Sequence, residues 1–561
     1  MSTAPADFDA IVVGSGITGG WAAKELTERG LKVLMLDRGR MVEHGKDYPT
    51  EHQAPWEQPL RGKPIKDLYK NEYPVQSKNY LFNETTRHFF NNDAQHPYAN
   101  PDAFTWFQSG VVGGRSLLWG RQVYRWSDLD FEANKSDGHG IDWPIRYEDI
   151  APWYSKVERF IGVSGRAEGL PHLPDSEFLP PMAFNVVESH VKTVIADQFR
   201  DRIMTIGRAA VLTQPHQGRA ACHYCGPCHR GCSAGAYFST QSSTLPAARA
   251  TGNLTLRSNA VVDSIDYDAT SGRATGVNVI DSNTFVRRRY TAKLIFLCAS
   301  TIGSTALLLN SRSEPFPNGL ANRSGTLGHY LMDHTYRTGA TGVFPQFTHK
   351  LDRGNRPNGI YIPRFQNIDK QDRDFLRGYN FQGAARKLPL LAQANATTGF
   401  GAEYKHSLRN GPWIMYLMGF GECLPNSNNR LELDHNKKDR YGIPQVRFHF
   451  EWSENEHKIR ADIMREAEAM LVAAGAVGVN AFNNVGLAGE AIHEMGTARM
   501  GDDPTQSVLN RWNQSHDVPN LFVTDGACMT SSSSVNPSLT YMALTARAAD
   551  YAAAQLASGT V

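Results

Sequence analysis

The stretch DAIVVGSGITGGWAAKELTERGLKVLMLD, residues 9–37, constrains the fold of this chain more than any other. Its opening apolar run reads as a strand covered on both faces, the pattern of a central parallel strand. Gly14-Ser15-Gly16-Ile17-Thr18-Gly19 follows at once, then the helical segment GWAAKELTERG and a second strand, LKVLML, that ends at Asp37. G-x-G-x-x-G between a strand and a helix, with an acid closing the next strand, is a dinucleotide-binding fingerprint. Gly14 permits the turn, Gly16 admits a pyrophosphate to the backbone, and Gly19 lets helix pack on strand. The helix N-terminus offers its positive dipole end to phosphate, and Asp37 offers a carboxylate to a ribose hydroxyl. An α/β architecture with a Rossmann-like lobe follows.

At 561 residues the chain exceeds one ordinary core, so two or more domains or interleaved lobes are expected. Hydrophobic residues make up 41% and charged residues 20%, the balance of a soluble globular protein. The formal net charge is +2, and the run Arg287-Arg288-Arg289 is too short for a nucleic-acid stripe, so no nucleic-acid partner is expected. No stretch approaches the ~18 continuous apolar residues of a membrane span. The opening MSTAPADFDAIVVG has neither a basic n-region nor an apolar h-region, which reads as a cytoplasmic chain.

Further glycine-rich pieces lean the dinucleotide towards FAD rather than NAD. SGVVGGRSLLWG, residues 109–120, would bring Gly113 and Gly114 close to a flavin, with Ser116 beside them. LIFLCASTIGSTALLLN reads as strand, small-residue turn and helix; GTLGHYLMDH ends in Asp333 and His334. NLFVTDGA sets Asp525 and Gly526 at the end of a short strand, and Arg38 and Val261 complete the expected cofactor set. Towards the C-terminus stand HEMGTARMG, from His493, and VNPSLT, with Asn536 and Pro537. Taken alone, His493 suits a hydrogen-bonded core residue, and Asn536-Pro537 suits an N-cap and first-turn proline for the helix SLTYMALTARAADYAAAQL.

Four of the seven cysteines, Cys222, Cys225, Cys228 and Cys232, fall at the spacing C-x2-C-x2-C-x3-C. An iron–sulfur cluster suits that run best, because it is nearly the ferredoxin pattern, although Ser233 replaces the usual proline. Zinc, disulfides and a structural thiol loop are the alternatives.

The fingerprint, VVGG, LCAS-x-IGS, LMDH, H-x-M-G-T-x-R-M-G, DGA and NPSLT occur in the order of the glucose–methanol–choline (GMC) oxidoreductases, which this chain resembles from about residue 8 to residue 553. The H-x-M-G-T-x-R-M-G and NPSLT forms are similar to the branch with pyranose oxidases, gluconate dehydrogenase large subunits and bacterial glucoside 3-dehydrogenases. The resemblance implies a Rossmann-like FAD lobe from residues 1–50, 105–135, 225–335 and 485–561, interleaved with an α+β substrate lobe from residues 140–220 and 336–484. It implies His493 as catalytic histidine and Asn536 as its partner. Alcohol oxidation asks for the same pair: an imidazole takes the hydroxyl proton while an amide orients the carbinol. Leu117 and Leu118 stand where some relatives attach flavin through histidine, so dissociable FAD is expected.

The implied activity is oxidation of a secondary sugar hydroxyl, favoured at C3 of glucose-type pyranosides, with electrons passed to an external acceptor. Gluconate dehydrogenase, oxygen-using pyranose oxidase, and a non-catalytic flavin-binding redox sensor or docking subunit are the alternatives. Heteromeric dehydrogenases of this branch carry a three-iron cluster, for which Cys222, Cys228 and Cys232 are the nearest matches, Cys225 being an extra thiol or a fourth ligand of a 4Fe–4S form. The resemblance also implies a small subunit, a cytochrome or quinone acceptor, and a periplasmic location where a signal-bearing partner exports the folded chain.

Overall fold

The computed structural model describes residues 6–351, 354–388 and 399–561. Among the described residues, the run Phe8–Val13 lies in the middle of a seven-stranded sheet, and Ala10, Ile11 and Val12 are wholly buried. It pairs in parallel with Val33–Leu36, which pairs onward with Leu254–Arg257, and on its other side with Arg287–Leu297. Val13 stands opposite both Leu36 and Leu297, so the three strands end level and open a crevice at their carboxyl ends. Arg287–Leu297 serves two layers: its first half closes an antiparallel meander with Ala260–Asp268 and Arg273–Asp281, while its second half takes Leu521–Val523 in parallel.

Two of the fingerprint glycines are dictated by close approach. Gly14 sits at φ +97°, and a Cβ there would overlap the Cys298 carbonyl; a Cβ on Gly19 would overlap the Gly14 carbonyl. The helix they release, Ile17–Glu28, packs Ala22, Ala23 and Leu26 against Ala548, Ala549 and Ala552 of the last helix, Ser538–Ala557. That last helix differs from the sequence expectation. Pro537, not Asn536, occupies the cap position and no side chain caps it, because the Asn536 carboxamide turns away to Gln382 and His493.

A second, antiparallel sheet runs Val477–Asn483, Thr335–Phe344, Trp413–Gly421, Tyr379–Lys387, Ile360–Ile362 and Thr205–Ile206. The segment WIMYLMGFG alternates strictly, with Trp413, Met415 and Leu417 buried and Ile414, Tyr416, Met418 and Phe420 half-buried on the other face. The buried face packs on the helix Glu454–Ala473 through Ile459, Ile463, Ala467 and Met470. That helix follows the hairpin Arg430–Lys438 and Pro444–His449, and a capping box of Ser453 and Glu456 starts it. The opposite face of the sheet turns Phe420, Tyr336 and Gln382 towards the crevice.

Gly419 is a close contact between sheet and helix, since a Cβ there would overlap Ile463. Gly419→Val is therefore expected to lower the urea midpoint by overpacking, at a cost of ~1–3 kcal/mol, and Ile463→Ala in the same chain to recover part of it. Equilibrium urea unfolding checks both.

Candidate active site

The crevice opens into a cavity of about 400 Å³ bounded by both sheets. At its nucleotide end Gly16 has nothing within 4 Å of where a Cβ would stand, and the helix it begins has neither a side-chain cap nor an acid in its first turn. Uncapped helical N–H groups facing open space make an anion cradle. Asp37 lines the same end; Ser15 N donates to it at 3.0 Å and Gly39 N at 2.7 Å, with the Ser15 hydroxyl also on its Oδ2. Burial pushes the Asp37 carboxyl up, and those hydrogen bonds oppose the shift. Arg38 reaches His96 Nδ1 at 2.8 Å, and Val261 forms part of the wall.

Farther in, Gly114 lies across from Gly16, a Cβ on it standing 3.6 Å from the Gly16 Cα. Ser116 lines the cavity and its hydroxyl accepts from Thr240 N at 3.1 Å. Gly113 stands one layer back, packed on the Gln241 carboxamide, and Gly19 is likewise behind the wall. Asp525 and Gly526 are on the wall; Asp525 accepts from Ser304 Oγ at 2.5 Å and Ala527 N at 3.0 Å, and burial raises its pKa to about 6.

The reactive end brings together residues 43 positions apart in sequence: Asn536 Nδ2 meets His493 Nε2 at 3.3 Å. The tautomer of His493 follows from its neighbours. His334 Nε2 lies 3.2 Å from the Ser532 carbonyl, an acceptor only, so Nε2 carries the proton and the neutral ring's Nδ1 accepts. His493 Nδ1, 2.9 Å from His334 Nδ1, must donate, which leaves His493 Nε2 as the unprotonated, accepting nitrogen at the cavity. Asn536 Nδ2 donates to that nitrogen while its Oδ1 accepts from Gln382 Nε2 at 2.7 Å. Asp333 holds the loop in place by accepting from the backbone of Gly489 (2.7 Å), Ala491 (3.2 Å) and His493 (3.1 Å). Burial and the nearby Glu494 raise Asp333 to about 7. Burial, then His334 and Arg115, hold His493 well below the usual imidazole range, and burial brings His334 to about 4. Both rings are neutral at pH 7, as the tautomer argument requires.

His334, Asp333 and Gln382 were not legible as site residues. The first two were visible only as the end of GTLGHYLMDH, and no motif marks Gln382.

The cysteine-rich loop corrects an expectation. Among the described residues no set of three or more His, Cys, Asp or Glu side chains is arranged to hold a metal ion, and all seven cysteines are free. Cys222 and Cys232 pack against an apolar cluster that includes Ile206, Val211 and Tyr237, Cys228 is half-buried, and Cys225 is exposed. Burial raises the Cys222 and Cys228 thiols. Among the described residues the four thiols are therefore no ready-made metal-ligand set, and the iron–sulfur expectation finds no support.

Family models for GMC oxidoreductase match residues 8–336 and residues 425–545. The chain belongs to the GMC oxidoreductase family. It is 32% identical over 98% of its length to 2-methyl-1,2-propanediol dehydrogenase of Mycolicibacterium austroafricanum, covering 96% of that protein. It is 26% identical to the fructose dehydrogenase large subunit of Gluconobacter japonicus, with 98% of each chain covered. The pyridoxine 4-oxidase structure from Mesorbium loti superposes with a TM-score of 0.60 at 13% identity, covering 97% of this chain and 98% of that one, which shows the fold. This GMC oxidoreductase is thus an FAD-dependent enzyme acting on CH–OH groups of alcohols or sugars. The glycine cradle and uncapped helix fit the dinucleotide. No helix among the described residues is long and apolar enough to cross a membrane.

Because His493 is depressed well below 6.5, its base form persists through neutrality and is lost only as pH falls far under that value. The rate of anaerobic flavin reduction is expected to stay level from pH 8 down through about 6.5 and to fall in acid. His334→Leu, which strands the His493 Nδ1–H, should slow that rate roughly ten- to hundredfold, the equivalent of ~1–3 kcal/mol for an unmade buried hydrogen bond. Stopped-flow pH profiles of both proteins check these outcomes.

Proposed function

We propose that this GMC oxidoreductase is a dehydrogenase that oxidises a secondary hydroxyl of a glucose-type pyranoside, favoured at C3, to a ketone. The unprotonated Nε2 of His493, at the cavity wall and paired with the Asn536 amide, carries the reading. In this role His493 takes the hydroxyl proton and Asn536 Nδ2 orients the same oxygen, so that the carbinol C–H faces the cofactor. FAD in this cavity supplies the hydride acceptor. Gly14, Gly16 and the helix N-terminus would hold its pyrophosphate, Asp37 its ribose, and Gly114, Ser116, Asp525 and Gly526 the stretch between pyrophosphate and ring. Residues 1–50, 105–135, 225–335 and 485–561 then form the flavin lobe, and residues 140–220 and 336–484 the substrate lobe.

Tyr80, Tyr336 and Phe420 with Gln382 and Glu490 surround the reactive end, alternating apolar faces with hydrogen-bonding groups as a sugar ring does. Electrons leave to an external acceptor, a cytochrome or a quinone, and the word "subunit" in the name of the fructose dehydrogenase relative supports a small companion chain. Similarity to 2-methyl-1,2-propanediol dehydrogenase favours a second reading, in which the substrate is a small vicinal diol.

An anaerobic screen of glucosides, free sugars, sugar acids and diols, following flavin bleaching and locating the new carbonyl, separates the readings. A 3-keto glycoside is expected; a hydroxy-aldehyde from a diol, with sugars inert, points to the second. His493→Ala should slow bleaching by ~10²-fold or more, since a positioned base typically contributes that much. Leu117 and Leu118 carry no nucleophilic atom to bond a flavin, so acid precipitation is expected to release the flavin into solution.

A further inference from the structure

Arg115 and Glu494 form a bidentate ion pair on the cavity wall, with Nη1 donating to Oε1 at 2.9 Å and Nη2 to Oε2 at 2.7 Å. The two partners belong to the segments that frame the reactive end. Arg115 follows Gly113-Gly114, and Glu494 follows His493. The pair is asymmetric: the Arg115 side chain is 28% exposed, into the cavity, while Glu494 is sealed at 2%. Whatever occupies the cavity meets the cationic end first. The position is fixed from behind, because the Glu494 carbonyl accepts from Thr301 Oγ1 at 2.5 Å and from the Tyr541 hydroxyl at 3.3 Å.

The surroundings need that cation. Glu494 and Asp525 are buried on the same wall, with Asp333 behind it on the His493 backbone, and Arg115 acts on both His493 and Asp525 there. Reduction of a flavin adds electron density to its ring, and in a water-poor cavity a fixed charge nearby changes the cost of that addition strongly. A wall of carboxylates alone would oppose it.

We propose that the Arg115–Glu494 pair sets the reduction potential of FAD bound in this cavity, Arg115 favouring the electron-rich form and Glu494 holding and tempering that charge. The proposal rests on the reading of the cavity as the flavin site. Arg115 is a positioning residue in this sense: its effect is on the cofactor's electrostatics, and the bidentate grip makes its place and orientation unambiguous.

The test uses FAD-loaded protein and reads midpoint potential, by dye-equilibrated reduction, together with the dissociation constant for sulfite, an anion that binds electron-poor flavins. Arg115→Met leaves Glu494 uncompensated, so the potential should fall and sulfite should bind at least about tenfold more weakly. Glu494→Gln leaves the guanidinium unopposed, so both quantities should move the opposite way. The Arg115→Met/Glu494→Gln double variant, neutral again, should return to within a few-fold of the parent. Opposite signs with cancellation support the proposal; a merely structural pair gives two losses of the same sign. Equal shifts in both single variants, no shift in either, or a change confined to the KM for acidic substrates overturns it. Should Arg115→Met fail to fold, Glu494→Gln and the double variant still decide. Parent protein that binds no FAD overturns this proposal and the flavin-site reading together, whereas FAD bound without the sign pattern overturns this proposal alone.

Discussion

A buried chain of hydrogen bonds decides what the reactive end can do. It runs from the Ser532 carbonyl through His334, His493 and Asn536 to Gln382, and each link has one permitted direction. A carbonyl cannot donate, so the proton positions propagate along the chain and leave the lone pair on the nitrogen at the cavity. Burial reinforces the arrangement: two imidazoles in van der Waals reach, in a dry site, cannot both afford charge, so each is held neutral. The loop that carries His493 is set by Asp333, whose carboxylate gathers three backbone donors from residues 489–493. The geometry here is held by hydrogen bonds between buried polar groups.

The cofactor end follows different physics. Its shape is made by missing side chains, with Gly14 and Gly19 allowing backbone to lie on backbone and Gly16 facing empty space. The level ends of Phe8–Val13, Val33–Leu36 and Arg287–Leu297 place the crevice, and the helix that follows the first strand delivers uncapped N–H groups into it. The antiparallel sheet contributes the other wall. One of its faces is spent on the helix Glu454–Ala473, and strict alternation along Trp413–Gly421 sends every second side chain towards the opposite face, with Phe420 reaching the cavity.

The cysteine-rich segment shows that spacing alone does not make a ligand set. Two of its thiols, Cys222 and Cys232, pack as small apolar groups against Ile206, Val211 and Tyr237. The Asn536-Pro537 pair carried a similar ambiguity. Its composition suits a helix start, yet the carboxamide has better partners in Gln382 and His493 than in the helix's own N–H groups.

The amino-acid pattern alone was enough for the dinucleotide fingerprint, the strand–turn–helix around it, and the family to which seven short motifs in order belong. Those features are local: glycine positions, period-2 and period-3.6 patterning and cap residues act within a few residues of themselves. Folding was needed to reveal that His334 backs His493, that Gln382 from the antiparallel sheet completes the chain through Asn536, and that Arg115 and Glu494 pair across 379 positions. Such partners share no spacing, because strands and helices from distant parts of the chain bring them together. Burial then makes their hydrogen bonds and charges matter, and burial is a property of the folded whole.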